Sequence, residues 1–191
     1  VRKPGCVGKL PANMQVRDEA GNVAAPMVVG EIYGLQSNPR RYWRDEEATA
    51  NGFAGGWTRT GDLGFVDEDG DLIISGRSKE LIIRGGYNIT PIEIENVLHA
   101  HPAVKDAAVL GVPHDVLGED IAAAVALRPG AHVSVEQLVG WCGDRLANNK
   151  LPRTILILDE LPLNATGKIV KRDLLPKLAA AAQARRDASA R

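Results

Sequence analysis

At 191 residues the chain accommodates one domain or two small ones, taking roughly 150 residues per domain. Its 45% hydrophobic and 25% charged residues are the balance of a folded, water-soluble protein and exclude a disordered tail or a collagen-like rod. Lys plus Arg number 23 against 24 for Asp plus Glu, a net charge of −1, so no overall field draws the chain to nucleic acid or anionic membrane and any bound anion must be met locally.

Residues 1–75 read as mainly β, with short runs such as Met14-Gln15-Val16 and 31–35 separated by Gly, Asn and Pro. One charged stretch, 38–51, interrupts them; Tyr42, Trp43, Glu46 and Glu47 predict a short helix beginning at Asn38 with Pro39 in its first turn. Runs 64–66 and 72–74 flank Asp67-Glu68-Asp69-Gly70, a hairpin turn.

After Gly76 helix and strand signals alternate, which suggests a second domain over 76–191. Thr90-Pro91-Ile92-Glu93 has the form of a capping box heading a helix whose Ile94, Val97 and Leu98 face the core and which ends at His101-Pro102. Ser134-Val135-Glu136-Gln137 repeats the box before a buried stripe of Leu138, Cys142, Arg145 and Leu146. Strands are predicted over 107–112, 121–127 and 155–158, and a last helix from about Lys171 into an Ala-rich, fraying tail.

The longest apolar run, 121–127, falls well short of the roughly 20 residues a membrane helix needs. The start has neither a signal-peptide core nor an initiator Met, so the chain reads as a piece of a longer protein. Cys6 and Cys142 are far apart, with no Cys-x-x-Cys, and are expected as free buried thiols in a reducing compartment. Asp67-x-Asp69-x-Asp71 fails as a calcium loop because Leu72 and Ser78 fall where Gly and Glu are required. Thr166-Gly167-Lys168 fails as a P-loop, since Pro162 takes the place of its first Gly and Ile169 that of its closing Ser/Thr. His99, His101, His114 and His132 match no metal spacing and are expected at the surface or in caps, and no metal site is expected in this chain.

Three places set polar residues in tight backbone. Thr58-Arg59-Thr60-Gly61-Asp62 fixes a carboxylate beside Gly; an ionised Asp only accepts hydrogen bonds and suits a ligand with two hydroxyls, such as a ribose, or else caps a turn. Arg77-Ser78-Lys79-Glu80 leads into Arg84-Gly85-Gly86, where two Gly permit close backbone approach to a ligand or simply make a linker and a β-turn. The loop 161–168 presents Lys168, whose compact ammonium suits a phosphate or carboxylate, or plain solvation.

In this order and spacing the segments 57–64, 76–95 and 162–172 resemble the adenylate-forming superfamily of acyl-CoA synthetases, peptide-synthetase adenylation domains and luciferases, over nearly the whole chain. Gly86-Tyr87-Asn88-Ile89-Thr90-Pro91 and Ala165-Thr166-Gly167-Lys168 are most similar to the acyl-CoA synthetases. The resemblance implies an α+β fold in which 1–75 ends a large N-terminal domain as a β-rich barrel and 76–191 is a mobile lid. It implies ATP, CoA and Mg²⁺ as cofactors and a small-molecule carboxylic acid as substrate, with the phosphate loop, the Mg²⁺ ligand and the acid pocket upstream and this chain alone inactive. In roles, Asp62 and Arg77 would bind the nucleotide, Lys79 would be the hinge, Lys168 would be catalytic in adenylation, and Gly85 and Gly86 would border the CoA channel. Lys168 also resembles the site at which such enzymes are silenced by a lysine acetyltransferase and restored by a deacylase. Asn148-Asn149-Lys150 departs from a stretch that commonly carries Lys and Tyr, and the end, Ser189-Ala190-Arg191, is no peroxisomal signal, so the expected location is cytoplasmic. Two other readings remain: an adenylation domain serving a carrier protein, and a non-catalytic interaction domain.

Overall fold

The first part of the chain is mainly strand-forming and the rest alternates strand and helix, and a computed structural model, which describes residue 3 and residues 5–38 and 40–189, divides it into two units, Val1–Lys79 and Glu80–Arg191. In the first unit the alternating runs become β1 (Cys6–Lys9), β2 (Met14–Arg17), β3 (Gly30–Leu35), β4 (Phe53–Ala54), β5 (Trp57–Val66) and β6 (Asp71–Arg77), with α1 (Glu46–Gly52) between β3 and β4. They form one antiparallel six-stranded sheet in the order β1-β6-β5-β3-β2, with β4 also on β5. Among the described residues no ladder joins β1 to β2, so where a barrel was expected there is an open sheet. Its small core is Val16, Ile32 and Leu72. The β5–β6 hairpin turns at 67–70 as predicted, closed by the Asp67 amide on the Asp71 carbonyl at 2.9 Å.

The helix predicted over 38–51 is shorter and later. Asp45 caps it, its carboxylate accepting from the Ala48 amide at 2.8 Å, which makes Glu46 and Glu47 its first turn and leaves Tyr42 and Trp43 outside. Arg44 has φ of 52°, a conformation no helix continues through. Pro39, assigned to the first turn, lies outside the described residues.

The second unit contains β7 (Ile82–Arg84), β8 (Tyr87–Ile89), α2 (Pro91–His99), β9 (Val104–His114), β10 (Gly118–Leu127), α3 (Val135–Gly143), β11 (Thr154–Leu158) and α4 (Lys171–Ser189). β10 is the axis of a five-stranded sheet: β9 pairs antiparallel along its whole length, β11 runs parallel to it over 122–126, and β7, with β8 beyond, joins at Gly118. Alternate β10 residues serve different cores. Ile121, Ala123 and Val125 pack with α2 and α3, whereas Ala122, Ala124 and Ala126 pack with Leu174, Leu178 and Ala182 of α4.

Both predicted helix starts exist, but only one carries its box. Ser134 and Gln137 exchange the reciprocal bonds. Thr90 makes no side-chain cap bond, and Glu93, instead of reaching back, holds Lys150 through both oxygens at 2.8 and 2.7 Å. Arg145 leaves the expected buried stripe because α3 stops at Gly143; its guanidinium lies over the Trp141 ring at 3.4 Å from the centroid. Helix α4 runs to Ser189, and Arg185 on it donates to Thr154 Oγ1 at 3.4 Å. No helix among the described residues is long and apolar enough to cross a membrane.

Leu178 is fully buried between α4 and the alanine face of β10. Leu178→Ala should therefore lower unfolding free energy by about 2 to 5 kcal/mol, the usual cost of a core cavity, seen as a lower denaturant midpoint with the slope unchanged.

Candidate functional site

Asp62 is fixed through its backbone. Its amide donates to Thr60 Oγ1 at 3.1 Å, that hydroxyl donates in turn to the Ile32 carbonyl at 2.8 Å, and Ser78 Oγ donates to the Gly61 carbonyl at 3.2 Å. The β5–β6 register sets Arg77 directly opposite, where its Nε donates to Asp62 Oδ1 at 3.0 Å. The two residues named separately from sequence are thus one ion pair. Oδ2 of Asp62 has no partner among the described residues, which leaves a half-buried carboxylate oxygen able to accept further hydrogen bonds beside a cation. Lys79 follows in a 3₁₀ turn, Ser78–Glu80; it is exposed and the last residue of the first unit.

Gly85 and Gly86 are the two-residue turn of the β7–β8 hairpin, with φ of 57° and 83°, values that side-chain-bearing residues rarely adopt in succession. The turn is held from beneath. The Gly85 amide donates to the Leu117 carbonyl at 2.9 Å, and Glu119 accepts from the Ile83 amide at 2.7 Å. Arg84 donates to Asp120 Oδ1 at 2.8 Å, while Arg185 approaches Oδ2 at 3.6 Å. Asp120, only 3% exposed, is a buried carboxylate compensated by two arginines, one on each side. Sequence reasoning missed this triad; a charged residue at the head of the apolar run 121–127 was its signal.

Lys168 stands on a hairpin closed by the Leu163–Ile169 bridge. Asn164 organises it. Its Oδ1 accepts from the Thr166 amide at 3.0 Å, the Thr166 hydroxyl at 2.8 Å and the Lys168 amide at 2.9 Å, while its own amide donates to the Lys168 carbonyl at 2.8 Å. Gly167 permits the turn with φ of 77°. The Lys168 side chain is exposed, and Nζ has no hydrogen-bond or ion-pair partner among the described residues. A rigid backbone therefore delivers an uncommitted positive charge. Asn164 was the unrecognised residue of this loop; an Asn three residues before a Gly is the signature of a side chain mimicking a backbone turn.

Other candidates are committed elsewhere. Asp67, Asp69 and Asp71 do converge, and the cation among them is the Lys3 ammonium, 2.7 Å from Asp69 and 3.1 Å from Asp71 and also bonded to Asp67. Hydrogen bonds from Lys3 hold the Asp67 carboxyl below the usual range, and bonds from Lys9 and then Lys3 do the same for Asp71. Lys150, in the departing stretch 148–150, is occupied by Glu93. His101 and His114 cap turns through Nδ1, as expected of them. Cys142 is buried, and burial pushes its thiol up to about 11, against a smaller opposing pull from Arg145; Cys6 is half-buried where full burial was expected.

Residues 93–168 match the family described as AMP-binding enzyme C-terminal domain. The chain is 42% identical over 175 residues to a 2-succinylbenzoate–CoA ligase of Geobacillus kaustophilus, covering 90% of this chain and 36% of that protein. Among solved structures it is similar to ATP-bound MatB from Rhodopseudomonas palustris, with a TM-score of 0.82, 36% identity, and 94% and 37% of the two chains covered. It is also similar to the amide bond synthetase McbA from Marinactinospora thermotolerans, with a TM-score of 0.80, 36% identity, and 89% and 36% covered. The chain thus spans about a third of the length of the curated relatives it matches.

Asn164→Ala removes three acceptor contacts, each worth about 0.5 to 1.5 kcal/mol. Amide exchange at Thr166 and Lys168 should accelerate about 10- to 100-fold while the β10 core amides keep their protection, as hydrogen-exchange mass spectrometry or NMR will read. The acidic cluster gives a pH prediction. Its carboxyls have depressed folded-state pKa values, so their contribution is complete above the ordinary Asp value of about 4 and is lost as pH falls through the lower folded values. The first unit should lose stability along an acid limb below about pH 4, and Lys3→Met should flatten that limb in urea titrations across pH.

Proposed function

Because the chain belongs to the adenylate-forming superfamily, corresponding to a C-terminal portion of its acid:CoA ligase type, we propose that the protein carrying it activates a carboxylic acid with ATP and passes the acyl group to CoA. The carboxylate would attack the ATP α-phosphate, giving an acyl-adenylate and releasing pyrophosphate. The CoA thiol would then lose its proton, attack the acyl carbon and release AMP, leaving a thioester. The observation that carries the reading is the uncommitted Lys168 ammonium on a rigid, exposed loop, the arrangement suited to charge that develops between carboxylate and phosphate.

The other roles follow from local chemistry. Asp62 accepts from ribose hydroxyls through the oxygen Arg77 does not hold, Oδ2, and Arg77 supplies positive charge at the same place. Lys79, ending the first unit, serves as the pivot about which the lid turns between half-reactions; because β6 carries Arg77 in the first unit's sheet, that lid is 80–191 where 76–191 was expected, and the first unit completes a barrel in the large domain. Gly85 and Gly86 offer bare backbone to the pantetheine arm after rotation. An exposed Lys168 is also open to a lysine acetyltransferase, and acetylation would cancel its charge at nearly unchanged length. The described residues do not fit Mg²⁺: the one cluster of three carboxylates is taken by Lys3, and each of these roles falls to the chain's own groups.

The likeness to an amide bond synthetase favours a second reading, in which the same adenylate is taken by an amine. Supplying the adenylate with CoA or with an amine separates the two by product mass.

In the full-length protein, Lys168→Ala should slow adenylation about 10²- to 10³-fold, as loss of one preorganised charge stabiliser does. Thioester formation from supplied acyl-adenylate should survive; equal loss in both half-reactions would overturn the assignment. Asp62→Ala should raise the KM for ATP about 10- to 100-fold, the loss of a charge-assisted hydrogen bond, with little change in stability because its pair with Arg77 is exposed.

A further inference from the structure

We propose that Lys171 is a positioning residue for Lys168, tying the base of the Lys168 loop to Glu80, the first residue of the second unit, so that the two keep one fixed relation. The inference rests on the adenylation role proposed for Lys168.

Lys171 opens α4 immediately after the loop, whose last closure is the Val170 amide on the Pro162 carbonyl at 2.8 Å. Its Nζ lies 2.7 Å from Glu80 Oε2 and 2.9 Å from Glu95 Oε1. Glu95 is not a free surface carboxylate: the same Oε1 accepts the Val109 amide at 2.9 Å. One ammonium therefore joins the 3₁₀ turn 78–80, α2, β9 and the start of α4. Burial works against its charge, yet Glu95 and Glu80 together hold its pKa above the ordinary lysine value, so the bridge stays charged throughout the working range.

The two lysines of the segment 168–171 thus have opposite conditions. Lys168 is exposed and has no partner among the described residues; Lys171 is 27% exposed at its side chain and locked between two carboxylates of its own unit. The link to Glu80 contributes little to stability, since that carboxylate is 42% exposed. Its consequence is geometric. It joins a segment next to the proposed pivot to the loop bearing the proposed catalytic charge, and a displacement of about 1 Å at a reacting group costs about 10²-fold in rate.

The test uses the full-length protein and both half-reactions. Lys171→Met keeps the stem and removes the charge; adenylation kcat should fall about 10- to 100-fold with KM for ATP and acid within about threefold, and thioesterification of supplied acyl-adenylate should be unchanged. Lys171→Arg, able to bridge two carboxylates, should recover most of the rate. If Lys171→Met does not fold, Glu80→Gln at an exposed residue gives the same selective loss at about 3- to 10-fold. Adenylation at the native rate in these variants, or a parallel fall of both half-reactions with a lowered unfolding midpoint, would overturn the positioning role. Lys168→Ala, run alongside, keeps the failures apart: if it leaves adenylation intact, the catalytic reading falls and takes this inference with it.

Discussion

Burial of β10 on both faces is the constraint on which the second unit depends. A strand whose residues 121–126 are almost wholly removed from water must have partners on both edges and both faces, and the chain supplies β9 and β11 at the edges, α2 and α3 on one face and α4 on the other. The alanines at 122, 124 and 126 bring α4 close to the sheet, and Leu174 and Leu178 fill the remaining space. The candidate functional groups of this unit are attached to the sandwich: the Gly85-Gly86 turn through the β7 end of the sheet, and the Lys168 loop through α4.

Within each unit, polar side chains that bond to main chain or to a neighbouring charge do the positioning. Thr60 and Ser78 fix the backbone about Asp62, Asp120 fixes Arg84 beneath the glycine turn, and Asn164 fixes the turn before Lys168. Each holds main chain or a neighbouring arginine and leaves the exposed group free. The backbone is ordered in advance, so less conformational entropy remains to be lost when a ligand is bound.

Much of this was legible in the sequence where pattern and local chemistry coincide. The apolar run 121–127 announces a strand, Ser134 to Gln137 announces a helix start, and 67–70 a hairpin. Misreadings came where a partner distant in sequence decided the outcome. Glu93 looks like the closing half of a capping box but is claimed by Lys150. Helix α1 slipped because Arg44, with positive φ, interrupts any helix begun at Asn38, and Asp45, immediately after it, supplies the cap. The candidate site residues were legible one by one; the pairing of Asp62 with Arg77, the Asp120 triad and the Lys171 bridge were not, since periodicity carries no information about cross-strand or cross-helix charge.

The hairpin that carries Lys168 divides the disorder of that residue into two parts. Its main chain is already fixed by Asn164, whereas its stem retains the rotamer freedom of a long unbranched side chain, worth about 2 kcal/mol when frozen. Engagement of the ammonium therefore surrenders only the tether's freedom, and disengagement returns it without disturbing any bond of the hairpin. A charge mounted in this way can take hold of an anion and let it go repeatedly, with the tether's own entropy favouring release.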